Sequence, residues 1–495
     1  MLEKLDLKKK VSKEDYSVVM EDLTKRLGQA QRDARAAKLP ILIIFEGWRG
    51  ARRSALINKM MQAMDARGFN VYSTVGMTED QHKQPFFTFF WQNLPAQGSI
   101  TVYHRSWYYL KNVADSGFGQ HDHHDCHECK NISFEHINNF ERMLTDDNYL
   151  VLKYFLHISP DQQKKNVAKN AKTLGKAWRA VSPAIDESGK YREYLNLYEK
   201  MLQATDTGNA PWHMIAADDL RNAQIEVFSS IADSIEAKLN TPAVVPEAVA
   251  RPAAAYDVLG KINPNNDITK EAYKEELAKL QKKLAKLQIG MFKKGIPAVI
   301  GFEGWDAGGK GGAIRRLTAA MDPLGYSVHP VASPNAVERQ YHYLWRFWIN
   351  LPQPGNIAIF DRTWYGRVMV ERLEGFAKPH EWQRAYDEIK DMEEQWAEHG
   401  IAIAKFWIQI DKDEQLRRFT ERQNDPFKQW KITDEDWRNR EKWDAYEEAV
   451  NEMLMRTDTS YAPWTVVEGN NKYYARLKVL KTVIALFENK LGKNK

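Results

Sequence analysis

Two short segments of this chain hold the residue types that phosphoryl transfer uses. In the first, Gly304, Gly309 and Lys310 stand in the pattern Gly-x-x-x-x-Gly-Lys, directly after the apolar run Ala298-Val299-Ile300-Gly301-Phe302. Between a strand and a helix, that spacing makes a phosphate-binding loop. The backbone from Gly304 through Gly308, Gly309 and Gly311 surrounds phosphate oxygens, and the lysine supplies a point charge. Gly311 departs from the usual Ser or Thr, whose hydroxyl reaches magnesium, while Asp306 inside the loop offers a carboxylate for the metal or for base chemistry. In the second segment, Asp361 ends the apolar run Ile357-Ala358-Ile359-Phe360. A second magnesium-organising carboxylate is expected there, and the adjacent Arg362 could neutralise charge on a migrating phosphoryl group. The plainer alternatives are a glycine turn that lets a helix pack, and an Asp361 that caps a turn beside a surface arginine.

Both segments occur twice. Phe45-Glu46-Gly47-Trp48 and Val102-Tyr103-His104-Arg105-Ser106-Trp107-Tyr108 lie 257 residues before their counterparts, but Arg49 stands for Asp306, Arg53 for Lys310 and His104 for Asp361. The first copy has therefore lost both carboxylates, and catalysis of this type is not expected there. Ala51 and Arg52 displace the paired glycines, so its backbone is expected to wrap a phosphate poorly. Arg49, Arg52, Arg53 and Arg105 leave two roles open, passive binding of a polyanion or pure support.

At 495 residues the chain exceeds one ordinary core, and the offset divides it into domains at 1–239 and 258–495. The segment 240–257, with Pro242, Pro246 and Pro252, reads as a linker. With 43% apolar and 28% charged residues and no long apolar run, a membrane span is excluded as an expectation. The N-terminus lacks an apolar signal core, and the two cysteines make no disulfide framework, so a cytoplasmic protein is expected. Cys126 and Cys129, with His121, His123, His124 and His127, are zinc-compatible ligand types, but one Cys-x-x-Cys lacks a second pair, and an exposed loop is the simpler reading.

Each copy opens with an amphipathic helix, marked by Tyr16, Met20, Leu23, Leu27 and Ala30 and again by Tyr273, Leu277, Leu280, Leu284 and Leu287. Strand runs at 298–302, 326–331, 357–360, 402–410 and 464–467 alternate with helical stretches. Each copy is thus expected to be an α/β domain with about five mostly parallel strands covered by helices, and function at the strands' carboxyl ends. Residues 411–460 read as a charged helical lid. Within it Arg417, Arg418, Arg422, Lys428, Lys431, Arg438, Arg440 and Lys442 form a basic stripe that suits a polyanion, or a solvated helix face, given the acidic residues interleaved with it.

The segments Glu303-Gly304-Trp305-Asp306-Ala307-Gly308-Gly309-Lys310-Gly311-Gly312, Phe360-Asp361-Arg362-Thr363-Trp364-Tyr365-Gly366-Arg367, and Arg422-Gln423-Asn424-Asp425-Pro426-Phe427-Lys428 resemble the polyphosphate kinase 2 family. The resemblance spans the second copy and, more weakly, the first. It implies tandem P-loop kinase-like, thymidylate-kinase-like three-layer domains with helical lids. It also implies magnesium-dependent transfer of a terminal phosphoryl group from inorganic polyphosphate to a nucleoside monophosphate, most simply AMP. On that basis Asp306 and Asp361 would position magnesium, Lys310 and Arg362 would hold the migrating group, and Arg422, Lys428 and Lys431 would meet the donor. An ATP-dependent nucleoside monophosphate kinase and a non-catalytic polyphosphate-binding protein are the rival readings. No nucleic acid or membrane partner is expected, and a homo-oligomer is left open.

Overall fold

The computed structural model describes residues 1–116, 131–181, 189–241 and 257–492, without the side chains of residues 173–181 and of Lys431. The His121 to Cys129 cluster and most of the linker lie outside the described residues. The chain forms two compact units, residues 1–244 with Asn335–Trp345, and residues 245–334 with 346–495.

Ten strands are described: β1 (Ile41–Gly47), β2 (Phe69–Ser73), β3 (Ile100–Arg105), β4 (Leu150–His157) and β5 (Trp212–Ala216), then β6 (Ala298–Gly304), β7 (Tyr326–Pro330), β8 (Ile357–Asp361), β9 (Ala402–Gln409) and β10 (Trp464–Glu468). They make two five-stranded sheets with the same topology, β2-β3-β1-β4-β5 and β7-β8-β6-β9-β10. The sequence suggests mostly parallel sheets; every pairing described is parallel. The central strands β1 and β6 are apolar and almost wholly buried, as strands covered by helices on both faces must be. Each central strand separates neighbours reached by crossovers on either side, so a crevice opens at its carboxyl end.

The opening helices are Lys13–Ala36 and Lys270–Lys293, with Ser12 and Thr269 as their N-caps. Their side chains accept from the N–H groups of Asp15 and Ala272, satisfying donors that the helix itself leaves open. Met20, Leu23, Leu27 and Ala30 are buried as expected, as are Tyr273, Leu284 and Leu287, while Leu277 and Leu280 are half-buried. Each buried leucine contributes roughly 1.5–3 kcal/mol through removal from water. These helices pack on the closing helices of their own units, Leu220–Asn240 and Lys472–Lys490.

A buried ion pair recurs in both units. Lys405 of β9 donates to Glu393 at 2.7 Å, to the Tyr365 hydroxyl at 2.8 Å and to the Thr457 carbonyl at 2.9 Å. Lys153 of β4 makes the same set with Glu141 at 2.7 Å, Tyr108 at 3.1 Å and Thr205 at 2.7 Å. All three ammonium protons are thereby placed. Burial pulls the Lys405 ammonium down from its usual range, and Glu393 opposes that; burial likewise pushes the Glu393 carboxyl up against the pull of Lys405.

The expected lid is only partly a lid. Helix Lys412–Gln423 and helix Asp434–Glu441 lie at the strands' carboxyl ends, but helix Trp443–Thr457 buries Trp443, Tyr446, Ala449, Val450, Met453 and Leu454 and packs on helix Pro379–Glu398. Those apolar positions, diluted in the sequence by Glu447, Glu448 and Glu452, make the last third of 411–460 a core layer.

Candidate active site

The loop after β6 is shaped by close backbone contact. Gly304 has φ +147°, and a Cβ there would stand 2.7 Å from the Ile408 carbonyl oxygen of β9. Any other residue would push the two strands apart. Gly309, at φ +117°, is the N-cap of helix Lys310–Thr318 and offers no side-chain cap, so the helix start presents its backbone donors to the crevice. Gly308 lies against the Trp305 carbonyl, whereas a Cβ on Gly311 would meet nothing within 4 Å. Packing therefore does not exclude a hydroxyl at Gly311; the chain simply lacks one. Ala307 and Arg362 also take left-handed backbone, at φ +60° and +67°. Such strain gathers where geometry is dictated by a site.

Trp305 anchors the loop. Its ring stacks on Trp443 at 3.7 Å, and its Nε1 donates to Gln409 Oε1 at 2.9 Å. Arg418, read from the sequence as part of a polyanion stripe, is instead 2% exposed. It donates to the carbonyls of Ala307 (3.0 Å), Gly308 (2.7 Å), Gly469 (2.6 Å) and Asn470 (3.1 Å). It holds the loop from behind, with Glu414 as its counter-charge.

A cleft open to solvent is lined by Gly304, Asp306, Lys310 and Arg362 from the sheet side and by Gln415, Glu435, Asn439 and Tyr446 from the helices above. Lys310 Nζ donates to the Gly304 carbonyl at 2.6 Å. The Asp306 carboxylate faces Arg362 at 3.7 Å through Oδ1 and accepts from Asn439 Nδ2 at 2.9 Å through Oδ2. Burial works against the Arg362 charge, yet Asp306, Glu303, Glu435 and Asp361 together hold the guanidinium above its usual range. Asp361 ends β8 opposite Phe302 of β6 and is half-buried, but it does not line this cleft.

Glu303 lies fully inside, accepting from Thr363 N at 2.6 Å and Thr363 Oγ1 at 2.8 Å, and burial pushes its carboxyl up against the pull of Lys310. A buried, perturbed acid beside a cleft invites a catalytic reading. The first unit argues otherwise: Glu46 makes the same two bonds to Ser106, at 2.8 Å each, where the catalytic residues are gone. Glu303 is scaffold.

The basic stripe is largely spent on the protein itself. Arg417 pairs with Glu414 and Glu421, Arg440 donates to the Lys412 carbonyl at 2.6 Å, and Lys442 pairs with Glu374 at 2.7 Å. Lys428 is exposed and pairs with Asp425. Arg422, half-buried in the last turn of its helix, lies near Asp436, whose carboxyl is pushed up by burial and by Asp306. The Lys431 side chain lies outside those described. Neither Arg422 nor Lys428 lines the cleft.

Asn439 and Tyr446 escaped the sequence reading. Tyr446 OH donates to Asn439 Oδ1 at 3.3 Å, which turns the Asn439 amide nitrogen toward Asp306. Glu435 and Asn439, four apart on helix Asp434–Glu441, share the face toward the cleft, a spacing visible in the sequence but unremarkable without Asp306 opposite. Asn439→Ala is expected to lower kcat about tenfold or more, the size of a lost hydrogen bond to a charged group, with KM changed less. Asn439→Asp should be worse despite its matching shape, because it sets two carboxylates face to face. Steady-state kinetics with the aspartate variant no worse than alanine would remove Asn439 from the site.

Among the described residues no helix is long and apolar enough to cross a membrane, and no cluster of three or more His, Cys, Asp or Glu side chains forms a metal cage. Residues 10–242 and 267–495 each match the family description Polyphosphate kinase 2 (PPK2). A polyphosphate:AMP phosphotransferase of Pseudomonas aeruginosa is 36% identical over 100% of both chains, and one of Acinetobacter johnsonii is 35% identical over 92% of both. A crystal structure of a polyphosphate kinase 2 from Pseudomonas aeruginosa PA01 superposes with a TM-score of 0.87 at 35% identity, covering 100% of each chain. With both repeats matched and the fold shared end to end, the chain belongs to the polyphosphate kinase 2 family.

Proposed function

We propose that the second unit transfers the terminal phosphoryl group of inorganic polyphosphate to AMP, giving ADP and a chain one phosphate shorter. The observation that carries this reading is the meeting of Asp306, Lys310 and Arg362 in one cleft at the carboxyl end of β6, in the only repeat that retains all three. The full-length relatives named polyphosphate:AMP phosphotransferase support the choice of donor and acceptor. In the transfer, an AMP phosphate oxygen attacks the terminal phosphorus and the P–O bond to the next phosphate breaks. Negative charge spreads over the equatorial and leaving oxygens, so fixed cations and positioning do most of the work. Lys310 and Arg362 supply that charge. Asp306 orients Arg362 and is placed to take any proton remaining on the acceptor phosphate.

Magnesium fits this donor set. It is a small, hard cation that keeps several waters and takes one or two carboxylates together with phosphate oxygens, so a full protein cage is not required. Asp306 and Asp361 are the carboxylates that would hold it, and when bound it would neutralise phosphate charge. The protein should thus turn over AMP with polyphosphate and magnesium and stop on chelation. Resolving nucleotide products with polyphosphate or ATP as donor tests the assignment; ADP formed only with ATP would make it an ATP-dependent kinase, and no product with either would make it a binding protein.

The lid should read the donor. Neutralising Arg422, Lys428 and Lys431 together is expected to raise the KM for polyphosphate several-fold more than that for AMP, with rising salt acting the same way. Equal shifts for both substrates would assign these residues to a general structural face.

A further inference from the structure

The first unit keeps the shape of the phosphate loop while inverting its charge. The sequence suggests that Ala51 and Arg52 spoil the loop, but the backbone is retained. Gly47, Gly50 and Arg52 have φ +124°, +87° and +59°, against +147°, +60° and +117° at Gly304, Ala307 and Gly309. Arg53 opens helix Arg53–Gln62 and donates to the Gly47 carbonyl at 2.6 Å, as Lys310 does to Gly304. Arg52 accepts a left-handed backbone that favours glycine, and no side chain caps the helix it precedes.

Around that loop two of the three carboxylates have gone. At the positions of Glu303, Asp306 and Asp361 the first unit has Glu46, Arg49 and His104, and Arg53 and Arg105 stand for Lys310 and Arg362. His104 brings no charge: burial, Arg53 and Arg105 press its imidazole down to about 3, and it shares a hydrogen bond of 3.1 Å with Ser54. Glu46 accepts from Ser106 and is a buried carboxylate that faces the charges of both Arg53 and Arg105. Arg105 is 8% exposed, lies over the Tyr109 ring at 4.3 Å, and its Nε is buried without a hydrogen-bond partner among the described residues. Its counterpart Arg362 has Asp306; here Arg49 occupies that position. One carboxylate for two buried guanidiniums leaves positive charge in excess, and an oxyanion at the loop would offset it and pair with the open Arg105 Nε.

We propose that this loop is a magnesium-independent binding site for the oxyanions of a phosphate chain, held by Arg105, Arg53, Arg52 and the start of helix Arg53–Gln62. A chain suits it better than a single nucleotide phosphate, because Arg52 is half-exposed, with Asn166 Oδ1 at 3.3 Å, while Arg53 and Arg105 are buried, so charge is offered at two depths. The site lacks the carboxylates that would hold magnesium. The metal should therefore weaken binding by neutralising the ligand, the reverse of its effect on the second unit.

The test is titration calorimetry of full-length Lys310→Ala, which blunts the catalytic loop, with polyphosphate in EDTA and in excess magnesium, and with AMP in EDTA. Binding is expected in EDTA, weaker with magnesium, and at least about tenfold weaker for AMP. Adding Arg105→Met should weaken polyphosphate binding about tenfold, the loss of a charge-assisted contact. Arg52→Gly should weaken it about threefold; glycine suits φ +59° there, so this variant decides the matter if Arg105→Met fails to fold. Polyphosphate affinity unchanged in a folded Arg105→Met or in Arg52→Gly overturns the site. AMP affinity that falls with Arg105→Met as far as polyphosphate affinity does overturns the assignment to a phosphate chain.

Discussion

Lys310→Ala is expected to lower kcat for ADP formation by about two orders of magnitude or more, and Asp361→Asn by a similar factor. Lys310 is the loop's own cation, and its ammonium is held at the Gly304 carbonyl, where the loop turns. Removing it deletes charge from the place where the migrating group gains negative charge, and the loss falls on kcat because that interaction strengthens in the transition state. Asp361 acts differently. It lies outside the cleft but at the end of the neighbouring strand, and Asn keeps its shape while removing the charge a metal needs. Both variants should retain their circular dichroism. Near wild-type turnover in either, measured with polyphosphate, magnesium and AMP, would contradict the site.

Lys405→Met is expected to destabilise the second unit by about 3–5 kcal/mol, because it strands the Glu393 carboxylate in the core. Methionine roughly fills the space, so cavity loss is small and the cost is electrostatic. The double variant Lys405→Met, Glu393→Leu should recover only part of it, because leucine removes the stranded charge but leaves the buried Trp364 Nε1 and Tyr365 hydroxyl donors unpaired. Denaturant unfolding is the measurement, followed as two transitions, since a chain of two units need not unfold in one step. Lys153→Met should act in the same way on the first unit. A single variant that unfolds at the parental denaturant concentration would show that Glu393 finds another partner or takes up a proton at little cost.

The sequence disclosed those parts of the molecule in which one residue type carries the meaning. Apolar runs gave strands to within one or two residues, and Ile357–Asp361 ends on the carboxylate that the run itself picked out. The loop was legible because glycine spacing is a backbone requirement. What stayed hidden depends on partners distant in sequence. Glu393 sits in the charged stretch Asp391-Met392-Glu393-Glu394, and nothing local separates it from Glu394; only its place on the Ile389, Met392 and Trp396 face, with Lys405 inside an apolar strand, gives it away. Glu141 stands twelve residues before Lys153, as Glu393 stands twelve before Lys405, so the repeat held the signal. Arg418 is hidden for the same reason: a basic residue in a charged helix looks solvated until carbonyl oxygens distant in sequence surround it.

The duplicated register bears on how the chain comes to fold. In the first unit β1 meets β4 from Ile41 opposite Leu150 to Gly47 opposite Leu156, and in the second β6 meets β9 from Ala298 opposite Ala402 to Gly304 opposite Ile408. Rung for rung the two ladders are interchangeable. If β9 docked beside β1, Lys405 would reach the height of Lys153 and find Glu141, so even the most expensive buried contact would be answered in a hybrid sheet. Side-chain volume is what remains to tell the strands apart, chiefly Leu150 and Leu152 against Ala402 and Ala404. Synthesis from the N-terminus removes the ambiguity, since the first sheet can close before Ala298 has been made. A chain diluted from denaturant has both ladders available at once, and its expected error is a strand exchanged between its own halves.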